Sequence, residues 1–208
     1  QEVIRSALVL ANVPPLITGA EHYTRIAACP ATAFHYATKC LSLTTDPPRP
    51  GTYALYDLEG WQLTGTWEQQ NQCHAMFEAA AMIRADGAIP VIAPLSPSVQ
   101  GLVRCAARAA GPGGMVHFQA QPHESDLPTY MRKLRNATTW ARQEVPGIAV
   151  SFGLSTNPKY HATAAIMFAA WRAATSYLGT STPCWLNITP MNASSVKKAT
   201  AFLKLVYR

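Results

Sequence analysis

From residue 52 onward the chain alternates short apolar runs with helix-length amphipathic segments, a rhythm that restricts it to βα units around a parallel sheet. Thr52 to Glu59 reads as a strand, and Glu68 to Asp86 as an Ala-, Met- and Phe-rich helix stopped by Gly87. Ile89 to Leu95 is the next strand and Ser98 to Ala110 the next helix, ended by Gly111-Pro112-Gly113-Gly114. Met115 to Gln121 is a strand, and Leu127 to Glu144 a helix with Asp126 as N-cap and Pro128 just inside. Ile148 to Ser155 and Cys184 to Thr189 are further strands, separated by a helix over His161 to Leu178, and Ser194 to Tyr207 closes the chain as a helix.

Before residue 52 the rhythm blurs. Ala7 to Asn12 reads as a first strand, Ala20 to Leu43 as helical with a break near Cys29-Pro30, and Thr44 to Gly51 as a loop. The count is about six βα units, against eight in a closed barrel. That leaves a short or open barrel, a closed one with poorly marked strands, or a doubly wound sheet. No GxGxxG or GxxxxGK[ST] follows a strand, which disfavours a nucleotide-binding sheet, so the expectation is an α/β, TIM-barrel-like domain over residues 1–208. No linker divides the chain. Its 49% hydrophobic and 13% charged residues supply one sizeable core.

Strand side chains alternate faces, so each strand can be sorted. Ala54, Tyr56 and Leu58 are expected to meet the helices, leaving Asp57 and Glu59 inward. By the same parity His117, Gln119 and Gln121 face inward, then Ser151, Gly153 and Ser155, then Trp185, Asn187 and Thr189. Buried parallel strands are normally apolar throughout, so four strands with one polar face imply a satisfied network or a wet mouth for a ligand. In barrels that mouth lies at the C-terminal strand ends.

Two acids two residues apart on one face, about 6 to 7 Å at Cα, are close enough to split acid and base roles. This makes Glu59 the candidate general acid or base, and Asp57 or Glu124 the second carboxylate. A structural role for Asp57, such as pairing with an Arg, is the alternative. Trp61 and Trp67, with Glu68, follow in the next loop, where an aromatic pair suits stacking on a sugar ring or simply covers the barrel end. Asp126 reads as a helix cap. The site set is Glu59, Asp57 and Glu124 as catalytic groups, with Trp61, His117, Gln119, Gln121, Ser151, Ser155, Asn157, Trp185 and Asn187 contacting substrate.

The chain resembles a group of secreted, barrel-like actinobacterial proteins. The resemblance rests on Tyr56-Asp57-x-Glu59-x-Trp61 with Thr64 and Glu68-Gln69, on Gln119-Ala120-Gln121, on Gly153-Leu154-Ser155-Thr156-Asn157-Pro158, and on Trp185-Leu186-Asn187-Ile188. These cover about the last three-quarters of the chain in one order, and the first 50 residues add nothing. The group carries no known activity, so the resemblance implies a fold and site positions alone. A Cys-rich stretch after its last strand has no counterpart in Pro190-Met191-Asn192.

The function expected is a glycoside hydrolase type acting on a glycan or other polar substrate, and the alternative is a non-catalytic protein that binds a glycan or small polar ligand. Metal-dependent hydrolysis through Asp57, Glu59, His117 and His123 is a weaker third class, because HxH and HExxH are absent. No metal or cofactor is expected. Serine hydrolase chemistry lacks its GxSxG. The formal charge of +6 is scattered apart from Arg132-Lys133-Arg135 and Lys197-Lys198, which read as wet helix faces, so no nucleic acid is expected. No run reaches the roughly 20 apolar residues of a membrane span.

The first residue is Gln1, and a removed secretion signal is one ordinary cause, so an extracellular location is expected. Asn136-Ala-Thr, Asn187-Ile-Thr and Asn192-Ala-Ser are glycosylation acceptors only in a eukaryotic secretory host. Cys29, Cys40, Cys73, Cys105 and Cys184 show no CxxC spacing. Cys29 and Cys40 could close a short loop, or the cysteines could be small core residues.

Overall fold

The computed structural model describes residues 6–9, 21–24, 41–42, 48, 50–58, 64–179, 182, 184–188 and 192–207. Its strands are β1 (Ser6–Val9), β2 (Glu21–Thr24), β3 (Leu41–Ser42), β4 (Tyr53–Asp57), β5 (Ile89–Ala93), β6 (Met115–Phe118), β7 (Ala149–Ser155) and β8 (Cys184–Asn187). Its helices are α1 (Thr66–Gln70), α2 (Gln72–Ala85), α3 (Gln100–Ala110), α4 (Leu127–Glu144), α5 (Ala164–Leu178) and α6 (Ala193–Val206).

The strands form one sheet in the order β1-β8-β7-β6-β5-β4-β2-β3. From β4 to β8 each strand pairs in parallel with the next, and α2, α3, α4, α5 and α6 pack each on its successor. A doubly wound sheet reverses direction partway and puts helices on both faces. From β4 to β8 the winding runs one way, so these five strands form a curled half-barrel with helices along one side, while the strand order reverses once before them, from β2 out to β3 and back to β4 on the other side of β2. β2 and β3 extend the parallel run, whereas β1 joins β8 antiparallel.

Period-two alternation divides the sheet as expected. Ala54, Tyr56, Leu58, Ile92, Val116, Phe118, Val150, Phe152, Leu154 and Leu186 are buried in the core shared with the helices. Each large side chain buried there contributes about 1.5 to 3 kcal/mol. α4, α5 and α6 start where short polar side chains cap them: Asp126 Oδ1 accepts from Thr129 N (3.2 Å), Thr163 Oγ1 from Ile166 N (3.3 Å) and Asn192 Oδ1 from Ser195 N (2.9 Å). Gly114 is set by close packing. A Cβ there would lie 2.1 Å from the Ala110 carbonyl oxygen and 3.0 Å from that of Pro90, so only glycine lets β6 start directly under the end of α3.

Four expectations are corrected. Glu21–Thr24 and Leu41–Ser42, expected to be helical, are strands, because β2 pairs with β4 and β3 pairs with β2, which engages their backbone groups. The break expected near Cys29-Pro30 lies outside the described residues. The helix expected over 68–86 is two helices, interrupted at Asn71. The strand expected to reach Gln121 stops at Phe118, and the backbone turns at Ala120 (φ −102°, ψ 11°) into a 3₁₀ turn over Gln121–His123. The helix expected from His161 starts at Ala164, after His161 takes a left-handed conformation (φ 55°).

A disulfide joins Cys73 on α2 to Cys105 on α3, with 5.4 Å between their Cα atoms, and Cys184 is a buried free thiol. Cys29 and Cys40 lie outside the described residues. No described helix is long and apolar enough to cross a membrane.

Candidate functional site

The inner face of the half-barrel has an apolar part and a polar part. Leu55, Val91, Ala93, Met115 and Trp185 form a small cluster of their own, separate from the helix-side core. The inward parity of β4, β6 and β7 then continues toward the C-terminal ends as Asp57, His117, Ser151 and Ser155, all buried.

These polar groups are bonded to one another across strands. Gln119 Nε2 donates to Asp57 Oδ1 at 2.6 Å, reaching from the end of β6 past β5 to β4. The register sets Ala93 beside Asp57 on the intervening strand, and a methyl leaves the space that this crossing requires. His117 Nδ1 and Ser151 Oγ, on paired residues of β6 and β7, lie 3.0 Å apart, and the imidazole packs at 5.6 Å against the Trp185 ring. The imidazole tautomer decides which of the two donates.

Gly153 lies beneath this cluster. A Cβ on residue 153 would fall 2.4 Å from Gln121 Nε2 and 3.3 Å from His117 Nε2, so the absent side chain is the space that Gln121 occupies. From the helix side Tyr130 Oη donates to the Gly153 carbonyl at 3.1 Å and fixes the strand there. Although β6 ends early, Gln119 and Gln121 still turn back to the inner face, through loop geometry in place of strand parity.

Glu124 belongs to a second polar group. Its Oε2 accepts from Ser155 N at 2.9 Å, while Oε1 is buried and has no hydrogen-bond partner among the described residues. Lys198 on α6 feels this carboxyl but donates its ammonium to the Thr156 carbonyl at 2.9 Å. Burial pushes the Glu124 pKa up to about 8, and the Ser155 amide and the Lys198 charge offset only part of that. Glu124 therefore carries its proton at neutral pH. Its partners come from β7 and α6, whereas Asp57 on β4 is bonded to Gln119.

The remaining expected residues divide as follows. Glu59 and Trp61 lie outside the described residues. Ser155 and Asn157 organise a turn: Ser155 Oγ accepts from Asn157 N (3.1 Å), and Asn157 Oδ1 from Lys159 N (3.1 Å) at the start of the Pro158–Tyr160 3₁₀ turn. Asn187 is half-buried at the end of β8, and its carbonyl accepts from Thr156 N at 2.9 Å. Trp185 is 3% exposed and packs in the inner apolar cluster. Glu68 is a brace, accepting from Tyr56 Oη at 3.0 Å and from Gly65 N at 3.1 Å. Trp67 is exposed and packs edge-on against His74.

Gly153 and Tyr130 were missing from the sequence-based set. A glycine inside a strand pattern is a known sign of close approach, so Gly153 had a signal. Tyr130 had none. Among the described residues no three His, Cys, Asp or Glu side chains are grouped so as to hold a metal ion.

Fold and site together define an α/β half-barrel whose inner face carries a cross-strand polar network at the C-terminal strand ends. Neither a family model, nor a curated protein, nor a solved structure matches the chain.

Proposed function

We propose that the chain is a glycoside hydrolase type enzyme on a short βα barrel of the TIM kind, with Asp57 and Glu59 as its working carboxylates. The observation that carries the reading is the Gln119 to Asp57 hydrogen bond, at the end of a parallel strand where barrel enzymes keep their chemistry. An amide donor fixes one carboxylate oxygen and leaves Asp57 aimed along the inner face. Glu59 takes the acid role on the strength of strand alternation in the sequence. The buried protonated Glu124 is in the state a general acid needs, but its Ser155 partner supports a structural role.

Glycosidic hydrolysis needs one protonated carboxyl and one carboxylate roughly 5 to 9.5 Å apart, plus donors and acceptors for sugar hydroxyls. Gln119, Gln121, His117 and Asn187, with Trp61 from the adjoining loop, supply the contacts in this reading. The Cys73–Cys105 disulfide supports an extracellular setting, since such bonds persist in oxidising compartments.

A second reading is a non-catalytic glycan or small polar ligand binder. It is favoured by the degree to which the polar face is already bonded, as Asp57 to Gln119 and His117 to Ser151. The two separate on turnover. Reducing-end release is measured across a panel of soluble and cell-wall glycans with the wild type and Glu59→Gln. The enzyme reading predicts release by the wild type and a loss of about 100-fold or more in the variant. Binding without release, in both proteins, supports the binder.

A further inference from the structure

A cavity of about 200 Å³ opens on the outer side of the half-barrel, lined by Pro97, Ser98, Arg132, Lys133, Asn136 and Trp140. Its wall is formed by the β5–α3 connection and by Arg132 to Trp140 of α4, and Ser98 follows the same C-terminal strand edge that carries Asp57. We propose that this cavity is a binding subsite for an oxyanion carried on a sugar ring, a phosphate monoester or a carboxylate.

The volume falls below the roughly 300 Å³ at which whole-ligand pockets begin, so the cavity suits one ring or substituent of a larger molecule. Arg132 is exposed, and the Lys133 ammonium donates to Ser98 Oγ at 2.7 Å, which holds it at the cavity edge while leaving two N–H donors for a ligand. Arg135 is engaged elsewhere, over the Tyr177 ring at 5.6 Å, so the basic run on α4 is divided between two tasks. Asp126, the acid that feels Arg132, is engaged in capping α4.

His123, which feels the charges of both cavity cations, is held below its ordinary pKa first by burial and next by Lys133, with Arg132 acting the same way against Asp126. Arg132 and Lys133 bring two positive charges to the cavity wall. The α3 N-terminus, which has no side-chain cap at Val99, adds its partial positive charge. A guanidinium and an ammonium together select a phosphate or carboxylate. The half-buried Trp140 ring and the Asn136 amide add an aromatic face and a polar edge, the pairing a sugar ring needs.

The test follows the Trp140 indole N–H by heteronuclear NMR, assigned with Trp140→Phe, while glucose 6-phosphate, glucuronate or glucose is added to the full chain. A saturable shift is expected with at least one of the two anions, and which one responds identifies the oxyanion. Glucose gives none. The double variant Arg132→Gln/Lys133→Gln, at one exposed and one half-buried position and checked by its melting curve, weakens the binding by about tenfold or more. Asp57→Asn leaves it unchanged, so failure of the hydrolase reading is distinguishable from failure of this one. An equal shift with glucose, no saturable shift with either anion, or full affinity in the double variant overturns the proposal.

Discussion

Gln119 Nε2 lies 2.6 Å from Asp57 Oδ1, although the two residues belong to chain segments separated by the whole of β5. The bond joins the loop after β6 to the strand whose next inward position in sequence is Glu59. Substituting Gln119→Ala removes a hydrogen bond to the Asp57 carboxyl worth about 1.5 to 3 kcal/mol and the donor that fixes its Oδ1. The expected result is a fall in kcat of about tenfold or more, with a melting temperature lowered by only about 3 to 12 °C, so that the variant stays folded under assay. Steady-state kinetics beside a thermal melt reads both.

Gly153 and Gly114 are expected to respond differently to alanine. At 153 the new methyl meets the end of the Gln121 side chain, which can swing away, so the cost is within about 1 to 2 kcal/mol while ligand contact is lost. At 114 it meets the backbone of Ala110, which cannot move without unseating α3, and the cost is about 3 kcal/mol or more. Urea titration of both variants separates the two outcomes.

Glu124 predicts a pH dependence with a definite sign. Its folded-state pKa of about 8 lies above the ordinary 4.5, so between these values the unfolded chain releases a proton that the folded chain retains. Stability therefore falls as pH rises through that window, by on the order of a few kcal/mol. Glu124→Gln has no proton to release and should flatten the slope. Chemical denaturation at pH 5 and pH 8 measures it in both proteins.

The Cys73–Cys105 bond closes a loop with a sequence separation of 32. Chain-entropy arguments assign such a crosslink about 3 to 4 kcal/mol. Unfolding with and without a reductant should differ by that amount, and the buried Cys184 should react with a thiol reagent only once the chain unfolds.

Legibility in the sequence followed the physics of each signal. α4 keeps the bounds Leu127 to Glu144 expected for it, because Asp126 and Pro128 mark its start unambiguously. The division of β4, β6, β7 and β8 into inner and outer faces was legible because alternation has period two and tolerates small errors at strand ends. The end of β6 was not. Gln119-Ala120-Gln121 continues the alternation in sequence, while the backbone turns at Ala120.

Glu124 was legible as a candidate carboxylate in the loop after β6, but its burial against Ser155 comes from the tertiary fold, which the polar run Pro122-His123-Glu124-Ser125-Asp126 does not encode. Pairing of Cys73 with Cys105 likewise requires α2 beside α3, a proximity that no cysteine spacing encodes. Glu21–Thr24 was read as helical because its strand character comes from pairing with β4, which local propensity does not report.

The central claim is that Asp57 is a working carboxylate and not a structural one. Asp57→Asn keeps an oxygen that can accept from Gln119, so the fold should survive and the melting temperature should stay near that of the wild type. On a glycan that the wild type cleaves, the account predicts reducing-end release at about a hundredth of the wild-type rate or less. Release by Asp57→Asn at the full wild-type rate would contradict it.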